Sequence, residues 1–210
     1  MSIIKKISHF FFGETCMSCK KKGVLNSYGF CAGCSSKCVF IDNFFQPAER
    51  YHVFRYEGEI KRIITDFKYR RKRFYGKKLA KTAASFLKEK GIEDFECIIP
   101  VPLHWKKEFK RGFNQSSIIS VCLGRMTGRK VLLNVLLKTR NTRSQTMLKG
   151  SERKENARKS FSVRNGKLVR GSDILLVDDV YTTGATVAEA RKALMEAGAR
   201  KVLILTIAKA

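Results

Sequence analysis

Two continuous apolar runs, Ile174-Leu175-Leu176-Val177 and Val202–Ile207, bracket one helical repeat, and this constrains the fold more than any other feature. An unbroken apolar run reads as a strand buried on both faces, as in a parallel sheet covered by helices. Between the runs, Val187, Ala190, Leu194 and Ala197 recur at helical spacing, and Gly198 supplies a stop. Upstream, a short strand is predicted around His52–Tyr56. Two helices follow, carrying Ile60, Ile63, Ile64 and Phe67, then Leu79, Ala83, Phe86 and Leu87 up to Gly91. A strand at Glu96–Val101, a helix at Ser116–Met126 closed by Gly128 and a strand at Val131–Leu137 complete the pattern. Alternating strand and helix predicts an α/β fold with a mostly parallel twisted sheet flanked by helices.

The chain of 210 residues has room for one substantial domain and a small appendage, and 44% hydrophobic residues suffice for a packed core. The expected division is a metal-binding module over residues 1–45 and an α/β domain over 46–210. Forty-three Lys and Arg against 18 Asp and Glu give +25, which favours polyanionic partners. Residues 101–150 hold 11 basic residues and one acid, Glu108. A second knot runs from Lys68 through Tyr69, Arg70, Arg71, Lys72, Arg73, Phe74 and Tyr75 to Lys78. Interleaved rings and cations suit single-stranded nucleic acid, since bases stack while cations follow the backbone. The alternative is a solvated helix face with its rings tucked into the core. Ile3, Ile4, Ile7, Phe10 and Phe11 could form one face of a short helix, for core packing or a partner contact. The run Phe10-Phe11-Phe12 is too short to cross a bilayer and lacks the extended apolar region of a secretory signal, so no transmembrane segment is expected.

Five of the seven cysteines lie between residues 14 and 40. Cys16-x-x-Cys19 and Cys31-x-x-Cys34 are two knuckles of the type that surrounds one tetrahedral zinc ion. Four thiolates leave no open position, so such a zinc is structural; Cys38 is an alternative fourth ligand. Cys97 and Cys122 fall in predicted core elements.

The segment Val177-Asp178-Asp179-Val180-Tyr181-Thr182-Thr183-Gly184-Ala185-Thr186 joins strand to helix, where open α/β sheets bind ligands. A turn opening a helix offers unpaired N–H groups and the positive end of the dipole to a phosphate. Thr182, Thr183 and Thr186 add hydroxyls, and Gly184 permits close approach. Two acids immediately before the turn suit the vicinal hydroxyls of a ribose 5-phosphate. No GxxxxGK[ST] loop is present.

This segment resembles the phosphoribosyl-pyrophosphate (PRPP) motif of type I phosphoribosyltransferases. Ile99–Trp105, Lys110–Gln115, Arg140–Thr146, Glu152-Arg153, Asn156 and the four-cysteine module resemble the ComF family specifically. The resemblance implies that Asp178 and Asp179 hold the ribose diol and act as the catalytic acids. It assigns the 5-phosphate to Thr182, Thr183, Gly184, Ala185 and Thr186. The turn after Pro100, with Val101, Pro102, Leu103 and His104, would offer N–H groups to pyrophosphate, and Lys106, Lys107 and Arg111 would add charge. His104 would either contact pyrophosphate or cap the turn. Mg²⁺ would bridge ligand oxygens. Residues 139–153 would form the mobile lid. The chemistry implied is displacement of pyrophosphate at the ribose C1, with the acceptor unspecified. The resemblance also implies a role in natural competence, single-stranded DNA as a partner, and a cytoplasmic location. A contact with competence machinery or a helicase at the inner membrane face is a further expectation. The runner-up reading is a non-catalytic DNA-uptake factor using the PRPP pocket as a sensor or relic.

Overall fold

The computed structural model describes residues 14–41, 49–139 and 160–210. The N-terminal apolar stretch and nearly all of the expected lid lie outside them. Strands β1 (Arg50–Arg55), β2 (Cys97–Pro100) and β3 (Lys130–Val131) belong to one sheet. A separate antiparallel pair, β4 (Leu136–Lys138) with β5 (Phe161–Val163), follows. Strands β6 (Asp173–Tyr181) and β7 (Lys201–Lys209) complete the main sheet, whose order is β1-β7-β6-β2-β3 with every pairing parallel.

Alternation along β6 explains the two layers that cover it. Ile174 and Leu176 face one apolar cluster, Leu175 and Val177 the other, as a pleated strand requires. The first cluster packs on Val187, Ala190 and Leu194 of a helix at Ala185–Glu196. The second packs on helices at Gly58–Tyr69, Phe74–Glu89 and Gln115–Thr127. In chain order the helices are α1 (Ala32–Ser35), α2 (Gly58–Tyr69), α3 (Phe74–Glu89), α4 (Trp105–Arg111), α5 (Gln115–Thr127) and α6 (Ala185–Glu196).

The cysteine module shares the second cluster. Met17 and Phe30 are fully buried, and Phe30 meets Phe54 of β1 edge-on at 5.9 Å. Thr82 of α3 donates to the Tyr28 carbonyl at 2.8 Å and Ser85 to that of Ser27 at 2.7 Å. Residues 14–41 therefore pack on α3 and β1 through apolar and polar contacts together.

Two elements differ from expectation. The predicted strand at Val131–Leu137 is split. After Val131 the chain turns through Asn134, and Leu136–Lys138 pairs with β5 instead of the parallel edge. Helix α4, unforeseen in the basic run after His104, is closed by Gly112 in the left-handed region at φ 77°. Among the described residues no helix is long and apolar enough to cross a membrane.

Candidate functional site

From β6 the chain crosses through α6 to β7 on one side. From β2 it crosses through α4 and α5 to β3 on the other. The carboxyl ends of β6 and β2 thus flank the point where strand order reverses, the place a ligand crevice forms in such sheets. Pro100 is the last β2 residue in register with β6, opposite Val177, and the crevice opens at Asp178.

Consecutive strand residues point to opposite faces, so the two acids have different surroundings. Asp178 accepts from Ser116 Oγ at 2.8 Å and from the Asp179 backbone N–H at 2.9 Å. Asp179 is buried, and its Oδ1 lies 2.8 Å from Lys68 Nζ of α2. Burial first, then the neighbouring Asp179 carboxylate, push the Asp178 carboxyl up to about 7, against the Ser116 hydrogen bond and the Lys68 charge.

Past the acids, Thr182 and Thr183 are exposed and Thr186 is half-buried at the start of α6. Thr183 Oγ1 accepts from Ala185 N at 3.4 Å. Gly184 caps the helix at φ 78°. A Cβ there would lie 2.1 Å from Tyr181 Oη, so this position needs glycine for backbone and space alike. The turn places helix-opening N–H groups and threonine hydroxyls beside the acid pair, a suitable anion cradle.

The facing turn after β2 only partly matches expectation. The Val101 N–H is spent on the Val177 carbonyl at 2.9 Å and Pro102 has none, so of the four residues only Leu103 and His104 have an N–H to offer. His104 is buried, and its Nδ1 accepts from Lys106 N at 3.3 Å, so it caps α4. Burial and the nearby Lys106, Lys138 and Lys107 lower its pKa. Arg111 is directed to α2 and α5: it donates to Gln115 Oε1 at 3.0 Å and stacks on Tyr69 at 5.1 Å. Asn114 ties the region together, capping α5 through Ser116 N and donating to the Val101 carbonyl.

Three site residues escaped the sequence reading in that role. By sequence Ser116 is only a helix start. Lys68 belongs by sequence to the basic knot that suits nucleic acid. Lys138, half-buried at the end of β4, has its pKa lowered by burial and Lys107 while Asp178 and Glu189 oppose the shift, which places it among the site's charges. The signal for Lys138 was its place directly after the apolar pair Leu136-Leu137.

The basic knot is largely committed to structure. Lys68 pairs with Asp179, and buried Asp66 holds both Lys72 at 2.7 Å and Arg70 at 3.3 Å. Arg73 donates to the Gly112 carbonyl and lies over the Phe113 ring. Tyr75 is fully buried under Lys20, so base stacking on it is excluded by packing. Arg71 is exposed, as are Tyr69 (68%) and Phe74 (48%).

Cys16, Cys19, Cys31 and Cys34 converge, with all four Sγ atoms within 4.8 Å of one another. The Cys19–Cys31 Sγ separation is 3.8 Å. A tetrahedron with Zn–S bonds near 2.3 Å has edges of about 3.8 Å, so the donor set fits that ion. Burial raises the Cys16 thiol, but N–H groups of Cys31, Cys19 and Ser18 outweigh it and bring it down to about 6, which favours a thiolate ligand. Cys38 stands outside the cluster; it donates to the Cys34 carbonyl, and burial raises its pKa to about 11. Cys97 is a core residue of β2, also raised to about 11 by burial, and Cys122 is half-buried against the α2–α3 cluster.

Residues 130–210 match the phosphoribosyl transferase domain family. Competence protein F of Haemophilus influenzae is 26% identical over 208 residues, covering 93% of this chain and 90% of that protein. The chain is thus similar to competence proteins of the ComF type over nearly its whole length. Its fold is that of the type I phosphoribosyltransferases, with a four-cysteine cluster consistent with a zinc module. A DNA utilization protein of Escherichia coli, YhgH, is 35% identical over 114 residues, 54% of this chain and 49% of that one. Among solved structures, glutamine PRPP amidotransferase from Bacillus subtilis aligns with TM-score 0.42 and 24% identity, over 64% of this chain and 25% of that enzyme. The matched phosphoribosyl transferase segment includes the strand-turn-helix that carries Asp178–Thr186.

Proposed function

We propose that this ComF-like chain binds PRPP with Mg²⁺ at the carboxyl ends of β6 and β2 and serves natural competence, the role carried in the name of its Haemophilus relative. The observation that carries this reading is the acid pair at Asp178–Asp179 running directly into the exposed, glycine-capped threonine turn. The 5-phosphate sits on the α6 N-terminus with Thr182, Thr183 and Thr186. The ribose hydroxyls donate to Asp178 and Asp179. Pyrophosphate lies toward Leu103 and His104, with Lys107 and Lys138 supplying positive charge. Bound Mg²⁺ would neutralise pyrophosphate, coordinated mainly by the ligand's own oxygens. Departure of pyrophosphate leaves positive charge on the ribose, which nearby carboxylates stabilise. The cysteine module of residues 1–45 holds one structural zinc that stiffens the side of the 46–210 domain.

Isothermal calorimetry with PRPP tests this reading. Wild type should bind only with Mg²⁺, and Asp178→Asn plus Asp179→Asn should weaken binding by about 1.5–3 kcal/mol, the worth of hydrogen bonds to charged groups. Absence of binding in wild type, or equal affinity in the variant, overturns it.

Single-stranded DNA is a second ligand in this proposal, favoured by the exposed rings of Tyr69 and Phe74 among cations. The name of the Escherichia coli relative points the same way.

A further inference from the structure

The proposed diol site is approached from α2 by a cation that motif reading would not place there. Lys68 lies in the last turn of α2, and its ammonium is 2.8 Å from Asp179 Oδ1. The side chains of Lys68 and Asp179 are 15% and 10% exposed, so the pair is largely withdrawn from water, where ion pairs are weakly screened. The neighbouring residues are committed elsewhere. Phe67 is fully buried, and Asp66 takes Lys72 and Arg70 and so braces the turn after α2. Lys68 is thus held by both its flanks on the face that meets β6.

Groups around the acids come from five elements: Lys68 on α2, Ser116 on α5, Lys138 on β4, and Lys107 on α4 and Glu189 on α6, which act on Lys138. Only Lys68 forms an ion pair with Asp179 among the described residues. A carboxylate has about four lone-pair sites, so one ammonium leaves capacity for a ribose hydroxyl. Ser116, by contrast, holds Asp178 without adding charge.

We propose that Lys68 is a positioning residue of the PRPP site, holding the Asp179 carboxylate aimed so that the diol meets one fixed acceptor. This rests on the PRPP reading above. Without Lys68, the neighbouring Asp178 would lose a cation that pulls its raised pKa down, and would keep its proton to higher pH. A protonated acid is a poorer acceptor for a hydroxyl donor. The loss should therefore be largest in mild acid and shrink as pH rises.

The experiment compares wild type, Lys68→Met, Lys68→Arg and the control Lys61→Met, an exposed α2 position. Calorimetry with PRPP and Mg²⁺ runs from about pH 6 to about pH 8.5, beside carbon-13 NMR titration of the aspartate carboxylates in the ligand-free proteins. Lys68→Met should bind about tenfold more weakly near pH 6, as expected for a shift of about one pKa unit, and recover toward pH 8.5. Lys68→Arg should stay near wild type, and Lys61→Met should match it. Lys68→Met with wild-type affinity across the range, or with an unchanged carboxylate titration, overturns the proposal. A uniform loss at every pH would also overturn it, since that marks damage to the fold. If wild type itself fails to bind PRPP while the ligand-free titration still depends on Lys68, the PRPP reading falls and the control of the acids by Lys68 stands.

Discussion

Substitution of Gly184 by Ala probes the geometry of the phosphate turn directly. The residue sits at φ 78°, where a Cβ costs about 1–2 kcal/mol. That Cβ would also lie 2.1 Å from Tyr181 Oη and 2.4 Å from Cζ, so the ring must move. Its freedom is limited, because the ring lies 4.7 Å from that of His52, which is itself buried. Overpacking of this kind costs about 1–3 kcal/mol. Together the two effects predict destabilisation of about 2–5 kcal/mol. Urea denaturation followed by far-ultraviolet circular dichroism measures it, and a cycle with Tyr181→Ala separates the causes. The double variant should be more stable than the sum of the singles by about 1–3 kcal/mol, since only the clash is relieved. A Gly184→Ala protein within about 0.5 kcal/mol of wild type would refute the strain argument. An additive cycle would show that Tyr181 is not the obstacle.

Purified protein should contain close to one zinc per chain by mass spectrometry, and Cys16→Ser plus Cys19→Ser should lose it; a metal-free wild type with an unchanged melting curve would contradict this. In fluorescence anisotropy with a short single strand, Tyr69→Ala or Phe74→Ala should weaken binding by about 1–3 kcal/mol with the salt slope unaltered. Tyr75→Ala should instead lose about 3–5 kcal/mol of stability, as a buried ring does, read in a melting curve. Burial, then Lys209 and Arg50, lower the His52 pKa to about 4, so stability from this group rises with pH between about 4 and about 6.5, where the unfolded chain binds the extra proton. Asp178, raised to about 7, works in the opposite sense over nearly the same window; Asp178→Asn should therefore steepen the acid loss of stability seen by denaturant titration at several pH values, and an unchanged profile would refute the assignment.

The layered sheet was legible because its signals are local. Apolar runs such as Ile174–Val177 and Val202–Ile207 need no partner to be read as buried strands. The phosphate turn was legible for the same reason, since acids, threonines and glycine are contiguous. The CxxC knuckles likewise announce a ligand set by spacing alone, and convergence of the four sulfurs agrees with that reading. What escaped depended on pairings distant in sequence. Lys68 meets Asp179 only because α2 packs on the face of β6 that Asp179 shares with Val177. Ser116 reaches Asp178 only because α5 begins beside the end of β2. The basic knot looked uniform as a string, yet one buried acid, Asp66, takes two of its cations. Val131–Leu137 misled because its apolar content suits either a parallel edge or a hairpin, and backbone pairing decides between them.

The strand order has a consequence for synthesis on the ribosome. β7 lies between β1 and β6, so Arg50 finds its parallel neighbour in Ile204 and Leu176 finds the same residue from the other side. Until residues 201–209 emerge, β1 and β6 each have one lateral edge without its final partner in the sheet. Helices α2, α3 and α5 can gather as the chain grows, but the sheet cannot close. Until β7 is made, the nascent chain would thus expose an apolar strand edge, an invitation to chaperones or to mispairing with another copy. Insertion of β7 between β1 and β6 is then the step that completes this sheet order.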